Sequence, residues 1–64
     1  MIKIIDTRFD RTKVIPNLTY IPRKGDILVY NDDDLSIRGV IYSVLHDIYN
    51  DERGVFHDIT IKVY

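Results

Sequence analysis

The stretch LSIRGVIYSVLHDIYN, residues 35–50, decides how this chain folds. β-Branched and aromatic residues dominate it, and a strand sends successive side chains to opposite faces. That period places Val40, Tyr42, Val44, His46 and Ile48 on one side, and Ile41, Ser43, Leu45, Asp47 and Tyr49 on the other. Both sides are largely apolar. Residues 36–49 make a strand far longer than the common length of about 5 or 6 residues. Straight, it would overhang a chain of only 64 residues. A strand that bends near Gly39 or Ser43 and serves both sheets of a barrel resolves the conflict.

Downstream, NDERGV turns the chain back, with a loop from Asp51 to Gly54 closing on Asn50 and Val55 and glycine at a left-handed position. The implied register pairs Ile48 with His57, His46 with Ile59, Val44 with Ile61 and Tyr42 with Val63. Ile59, Ile61 and Val63 then share the Val40/Val44 side, whereas a slip of one would set Lys62 opposite Val44. Tyr49 and Phe56 meet across the outer side, beside Leu45 and Ile41. Tyr42 is assigned to the core.

Upstream, DILVY (residues 26–30) is a short strand preceded by the turn PRKGD, where proline fixes φ and Gly25 supplies a positive φ. MIKIIDTRFD reads as an opening strand with Ile2, Ile4 and Phe9 as core candidates, and the adjacent Ile4 and Ile5 suggest a bulge. Between these segments Pro16 and Pro22 each lack a ladder N–H and exclude a long central strand. Short extended pieces near residues 13–15 and 18–21 remain.

Composition agrees with a strand-and-turn chain. Alanine and glutamine are absent, one glutamate stands against nine aspartates, and Ile, Val and Thr number 21. Helices favour the missing types, while aspartate favours turns. A chain this short buries only about 60% of its unfolded surface, which leaves little room for a deep substrate cavity. Without cysteine there is no disulfide, thiolate zinc site or cysteine nucleophile. The absence of staples favours a reducing, cytoplasmic setting, and neither a signal pattern nor an apolar run of membrane-spanning length is present. Residues 1–24 carry a balance of +4 and residues 25–64 one of −5, together the net −1. Such asymmetry can mark a nucleic-acid or partner surface; the alternative is that a closed small barrel brings the halves together and the charges neutralise one another.

Residues 1–64 are therefore expected to form one all-β domain: a small SH3-like barrel of four to five antiparallel strands, with a long bent strand at 36–49 and a C-terminal hairpin. An oligonucleotide-binding barrel needs a longer chain and often a helix. The order IPRKGDILVY, GVIYSVLHD, ITIKVY across residues 21–64 resembles small SH3-like barrel proteins encoded by phages and prophages. Those carry a Pro-x-x-Gly-Asp turn before the second strand and a Val-x-x-Val-x-x-Asp run before the final hairpin strand. The resemblance implies a fold and a mobile-element setting, the host cytoplasm for a phage-encoded chain, and carries over no catalytic residue. Signalling SH3 domains fit less well, because their Ala-Leu-Tyr-Asp-Tyr run and groove tryptophan are missing.

Few residues suggest chemistry. The consecutive Asp32, Asp33 and Asp34 lack the alternating ligands, central glycine and twelfth-position glutamate of a calcium loop. They read as a turn first and an acidic contact second. His46–Asp47 and His57–Asp58 form a repeated pair. The register sets the histidines as diagonal neighbours, about 7–8 Å apart at the backbone. The strand period sends the opposed aspartates to the other face, with Lys62 or Arg38 as the expected neutralising cation. No metal site is expected, either from these pairs or from the aspartate loop, and no cofactor. Ser36 and Ser43 lie in no nucleophile elbow, and the isolated glycines form no phosphate loop. An enzyme is not expected.

Surfaces remain. Tyr49 and Phe56 offer an apolar face for a protein partner or for self-association. Tyr20, Arg23, Lys24 and Tyr30 interleave rings with cations, the pattern that suits nucleic-acid stacking and phosphate contact. The expected function is a non-enzymatic protein-interaction module of a phage or mobile element that binds and modulates a host or phage protein. The alternatives are a nucleic-acid-binding barrel and a structural piece of a virion or larger assembly.

Overall fold

Five strands and no helix make up the regular structure of residues 1–64 in the computed structural model. They are β1 (Ile2–Asp6), β2 (Arg11–Ile15), β3 (Ile27–Asn31), β4 (Ser36–Asp51) and β5 (Gly54–Val63). They form one curled half-barrel sheet in the order β2-β1-β5-β4-β3.

The sheet is mixed, which corrects the expectation of antiparallel strands alone. β1 runs parallel to β5, from Ile2 beside Ile59 to Asp6 beside Val63. A parallel pair cannot be joined by a tight turn, and here almost the entire chain is the connection. β2, joined to β1 by a short turn, covers β1's other side. β5 therefore takes the side left open.

β4 serves two partners, as its length requires. Residues Ser36 to Val40 pair with β3, and the strand pairs with β5 from Ile41 to its end. Between Ile41 and Ser43 the register shifts, and Tyr42 is the extra residue of a β-bulge. Beyond the bulge the pairs Val44–Ile61, His46–Ile59 and Ile48–His57 stand in the anticipated register. Before it the parity inverts. Val63 faces Ile41 rather than Tyr42, so Ile41 and Ile37 enter the core while Val40 turns out. Tyr42 is consequently only half-buried and packs edge-on against Tyr64, with ring centroids 5.1 Å apart. Its core assignment is corrected, as is the placing of Ile41 in the outer row.

The core consists of Ile2, Ile4, Leu28, Ile37, Ile41, Ile59, Ile61 and Val63, with Leu18 and Ile21 of the proline-bounded excursion packed against it. β1 contributes on a clean alternation with no bulge: Ile2, Ile4 and Asp6 point in, and Ile5 lies on the outer face. Phe9 is 59% exposed in the β1–β2 turn, not in the core. The chain reverses there with Asp10 at φ 52°, and residues 7–10 belong to no strand, so the ring has no place in the alternation that feeds the core. Residues 18–21 form no strand, and residues 13–15 are the end of the longer β2. The turn at Arg23–Asp26 closes as anticipated, with Gly25 at φ 95° and the Asp26 N–H donating to the Arg23 carbonyl at 3.0 Å.

The molecule does overhang. β1 accompanies β5 only as far as Ile59, so from Asp47–Asp58 to Asp51–Gly54 the strands β4 and β5 pair with each other alone. This two-stranded ribbon lengthens the molecule to 37 Å against 26 and 22 Å in the other directions. Its reversal is tighter than expected: the ladder continues to Asp51–Gly54, with Gly54 at φ 127°.

Gly39 lies hard against the end of the chain, with no room for a side chain. A Cβ there would lie 2.7 Å from the Tyr64 carbonyl oxygen, which accepts from the Val40 N–H at 3.0 Å. Gly39→Ala should therefore destabilise the fold by about 1–3 kcal/mol, the usual cost of forcing an extra carbon into a packed site. Urea denaturation measures it; an unchanged midpoint would mean that the terminal strand yields freely.

Candidate functional site

The acidic loop is a clasp. The Asp32 carboxylate accepts from the Lys13 ammonium at 2.7 Å, the Tyr30 hydroxyl at 2.9 Å, and the Asp34 and Leu35 N–H groups at 2.8 Å each. Local aspartate geometry explains the last two, because its short side chain caps its own turn. Tyr30 is only two positions away, so the one long-range contact comes from the curl of the sheet: Lys13 lies on β2 and Asp32 follows β3, and the ion pair joins the two edge strands. Lys13, followed by the turn amides and Tyr30, holds the Asp32 carboxyl well below the usual carboxylate range. In return Asp32 raises the Lys13 ammonium and the Tyr30 hydroxyl above their ordinary values. Asp33 and Asp34 point to solvent. Across the molecule no group of three or more His, Asp or Glu side chains converges as a metal cage would require.

The four ring-and-cation candidates are divided by the fold. Tyr20, 78% exposed, and Tyr30 line an open apolar groove of about 270 Å³ together with Leu18, Pro22 and Leu28. Tyr30 is committed to Asp32 through its hydroxyl. Arg23 and Lys24 stand outside the groove on the exposed turn, where the Arg23 N–H is held by the Asp26 carboxylate at 2.9 Å.

The ribbon brings together what the hairpin register anticipated. On its outer face Tyr49 and Phe56 stack with centroids 5.2 Å apart and planes at 18°, and the Arg53 guanidinium lies 5.5 Å from the Phe56 ring. Leu45 extends this face toward the sheet. Asp47 and Asp58 oppose each other directly on it. The nearest cation is the amino terminus of Met1, 3.6 Å from Asp58, rather than Lys62 or Arg38. Asp58, then burial, Asp47 and Asp51, raise the Tyr49 hydroxyl above its ordinary value. The other face of the ribbon also has no cover, with Ile48 63% and Val55 69% exposed. His46 and His57 meet there edge to edge, with ring centres 5.0 Å apart and planes at 28°.

One cluster escaped the sequence reading. Asp6, fully buried, accepts from the Arg11 guanidinium at 2.9 Å and from the Arg8 N–H at 3.2 Å. Arg11, chiefly, holds its carboxyl below the ordinary value against the opposing effect of burial. Beside this pair two guanidiniums approach the exposed Phe9 ring, Arg8 at 4.8 Å and Arg11 at 5.1 Å from its centre. The spacing in RFDR was the available signal: cations one before and two after an aromatic meet over its ring in a tight turn. No protein family, curated protein or solved structure matches this chain. No helix is long and apolar enough to cross a membrane.

The clasp sets a pH dependence. A carboxyl whose folded value lies below its ordinary 3.8 contributes stability that is present above that pH. The contribution is lost as pH falls toward the folded value. Asp32→Asn should lower the melting temperature at neutral pH and flatten the decline below pH 3.8, leaving the part due to Asp6. Thermal melts across that range check it; a variant that melts like the parent at neutral pH would show the clasp to be idle.

Proposed function

We propose that this chain is a non-enzymatic protein-interaction module, an SH3-like barrel of a phage or mobile element that binds and modulates a host or phage protein in the host cytoplasm. The observation that supports this reading is the ribbon. It stands beyond the sheet with an aromatic stack on one face and bare aliphatic residues on the other. A ladder of this length is not needed to close the core, which ends at Ile59. Apolar residues held on a projecting ribbon gain burial only against another surface. Aromatic rings pre-stacked on a ladder also lose little freedom on binding, which suits them as anchors. The resemblance of IPRKGDILVY and the closing hairpin to phage SH3-like barrels supplies the setting.

A second reading, nucleic-acid binding, is favoured by one observation: Phe9 is exposed beside two arginines. Such a ring can stack on a base while Arg8 reaches a phosphate, Arg11 being held by Asp6. Arg23 and Lys24 add two exposed cations.

The two readings separate cleanly. In capture from host lysate with nuclease present, Tyr49→Ala and Phe56→Ala should each weaken recovery of a stoichiometric protein partner. The expected loss is about 30-fold, corresponding to the roughly 2 kcal/mol of an interface anchor, with the circular dichroism spectrum unchanged. Retention of the partner by both variants would discard the ribbon as the contact. For the second reading, Phe9→Ala should cost about 1–3 kcal/mol of single-strand affinity. Arg23→Ala with Lys24→Ala should reduce the salt slope by about 0.7 per lost phosphate contact. Absence of measurable binding to DNA or RNA at low salt would end it.

A further inference from the structure

We propose that His46 and His57 form a two-histidine site for a first-row transition-metal ion, with zinc(II), nickel(II) or copper(II) as the fitting class. The strand period places the two side chains on one face of the ribbon and sends Asp47 and Asp58 to the other, so these histidines meet without the carboxylates. Nδ1 of His46 and Nε2 of His57 face each other at 2.8 Å, a hydrogen bond in which one ring donates and the other accepts.

That separation is close to the bite a metal requires. Two imidazole nitrogens bound at about 2.05 Å are about 2.9 Å apart at a right angle and about 3.3 Å apart at the tetrahedral angle. To accept the ion the pair opens by a few tenths of an ångström and each ring turns by about 35–45°, so that nitrogens now aimed at each other converge on one point; both side chains are exposed and free to make that rotation. Both rings are exposed, so the ion enters without unfolding anything. Water completes the coordination. An exposed imidazole–imidazole hydrogen bond is a modest competitor, since water replaces it at little cost.

The proton balance is simple. In the bare pair one of the two facing nitrogens carries a hydrogen. On binding, both facing nitrogens present lone pairs, so that hydrogen moves through solvent to the outer nitrogen of the same ring. His46 then carries its hydrogen on Nε2 and His57 on Nδ1. No net proton is released from the neutral pair. Imidazole selects zinc, nickel and copper over magnesium and calcium, which prefer oxygen.

A bound ion would clip β4 to β5 at the root of the ribbon, where His46 stands opposite Ile59, the last β5 residue paired with β1, and would stiffen the hairpin beneath the Tyr49–Phe56 stack. The test uses the full chain and zinc alone, followed by titration calorimetry and by nuclear magnetic resonance of the imidazole groups. Zinc should shift the resonances of both histidines and raise the melting temperature. His46→Ala and His57→Ala, both at exposed positions, should each weaken binding by about tenfold or more. Asp47→Asn and Asp58→Asn should leave it unchanged, and calcium should not compete. Three results would overturn the site: imidazole resonances unmoved at millimolar zinc, equal zinc affinity in the double histidine variant, or loss of binding in the aspartate variants.

Discussion

A strand cannot pass from one half of a small curled sheet to the other while keeping its two-residue alternation. In β4 the conflict is released at one residue, Tyr42, where a bulge inverts the side-chain parity. The consequences run through the molecule. Ile37 and Ile41 reach the core from one side of the bulge, Val44 from the other, and Val40 is turned out. Remove the inversion and either Ile37 and Ile41 or Val44 must leave the core. The bulge also allows β3 and β5 to take different parts of β4, which is why a single strand can hold the two halves of the sheet together.

Curling brings β2 and β3, the two edge strands, within reach of each other, and the chain secures them with charge. Lys13 and Asp32 span the gap, with Tyr30 as a third member. At the other end of β1, Asp6 is buried and balanced by Arg11. The exposed clasp and the buried pair differ in character. Asp32 is partly hydrated and assembled mostly from its own turn. Asp6 depends on Arg11 for its charge, and a buried carboxylate stripped of its partner is strongly unfavourable. Part of the uneven distribution of charge along the chain is thereby explained: cations of the first half meet acids of both halves.

The ribbon follows from the same geometry. Once β1 ends its pairing at Ile59, β4 and β5 continue with no third strand and no core beneath them. Side chains that alternate on this stretch have solvent on both faces, yet several are aromatic or aliphatic. That mismatch between residue type and surroundings is what distinguishes the ribbon from the rest of the surface. It is also why the two histidines and the Tyr49–Phe56 stack, although on opposite faces, belong to one mechanical element.

Local patterns in the sequence determined a good deal. The all-β character, the hairpin register, the Gly25 turn, the Tyr49–Phe56 pairing and a break in β4 are each set by neighbours in the chain. Period, turn chemistry and cross-strand opposition are local matters. The closing role of Asp32 was not legible, because its capped turn would look the same without Lys13, which lies 19 positions earlier in the chain. Nor were the parallel β1–β5 pair, the burial of Asp6 or the exposure of Phe9. Each depends on which strand side stays open after the rest of the sheet has formed. The bulge site shows the limit most clearly: the sequence required a bend near Gly39 or Ser43, but only the packing of Ile41 opposite Val63 decided that Tyr42 would be left out of the ladder.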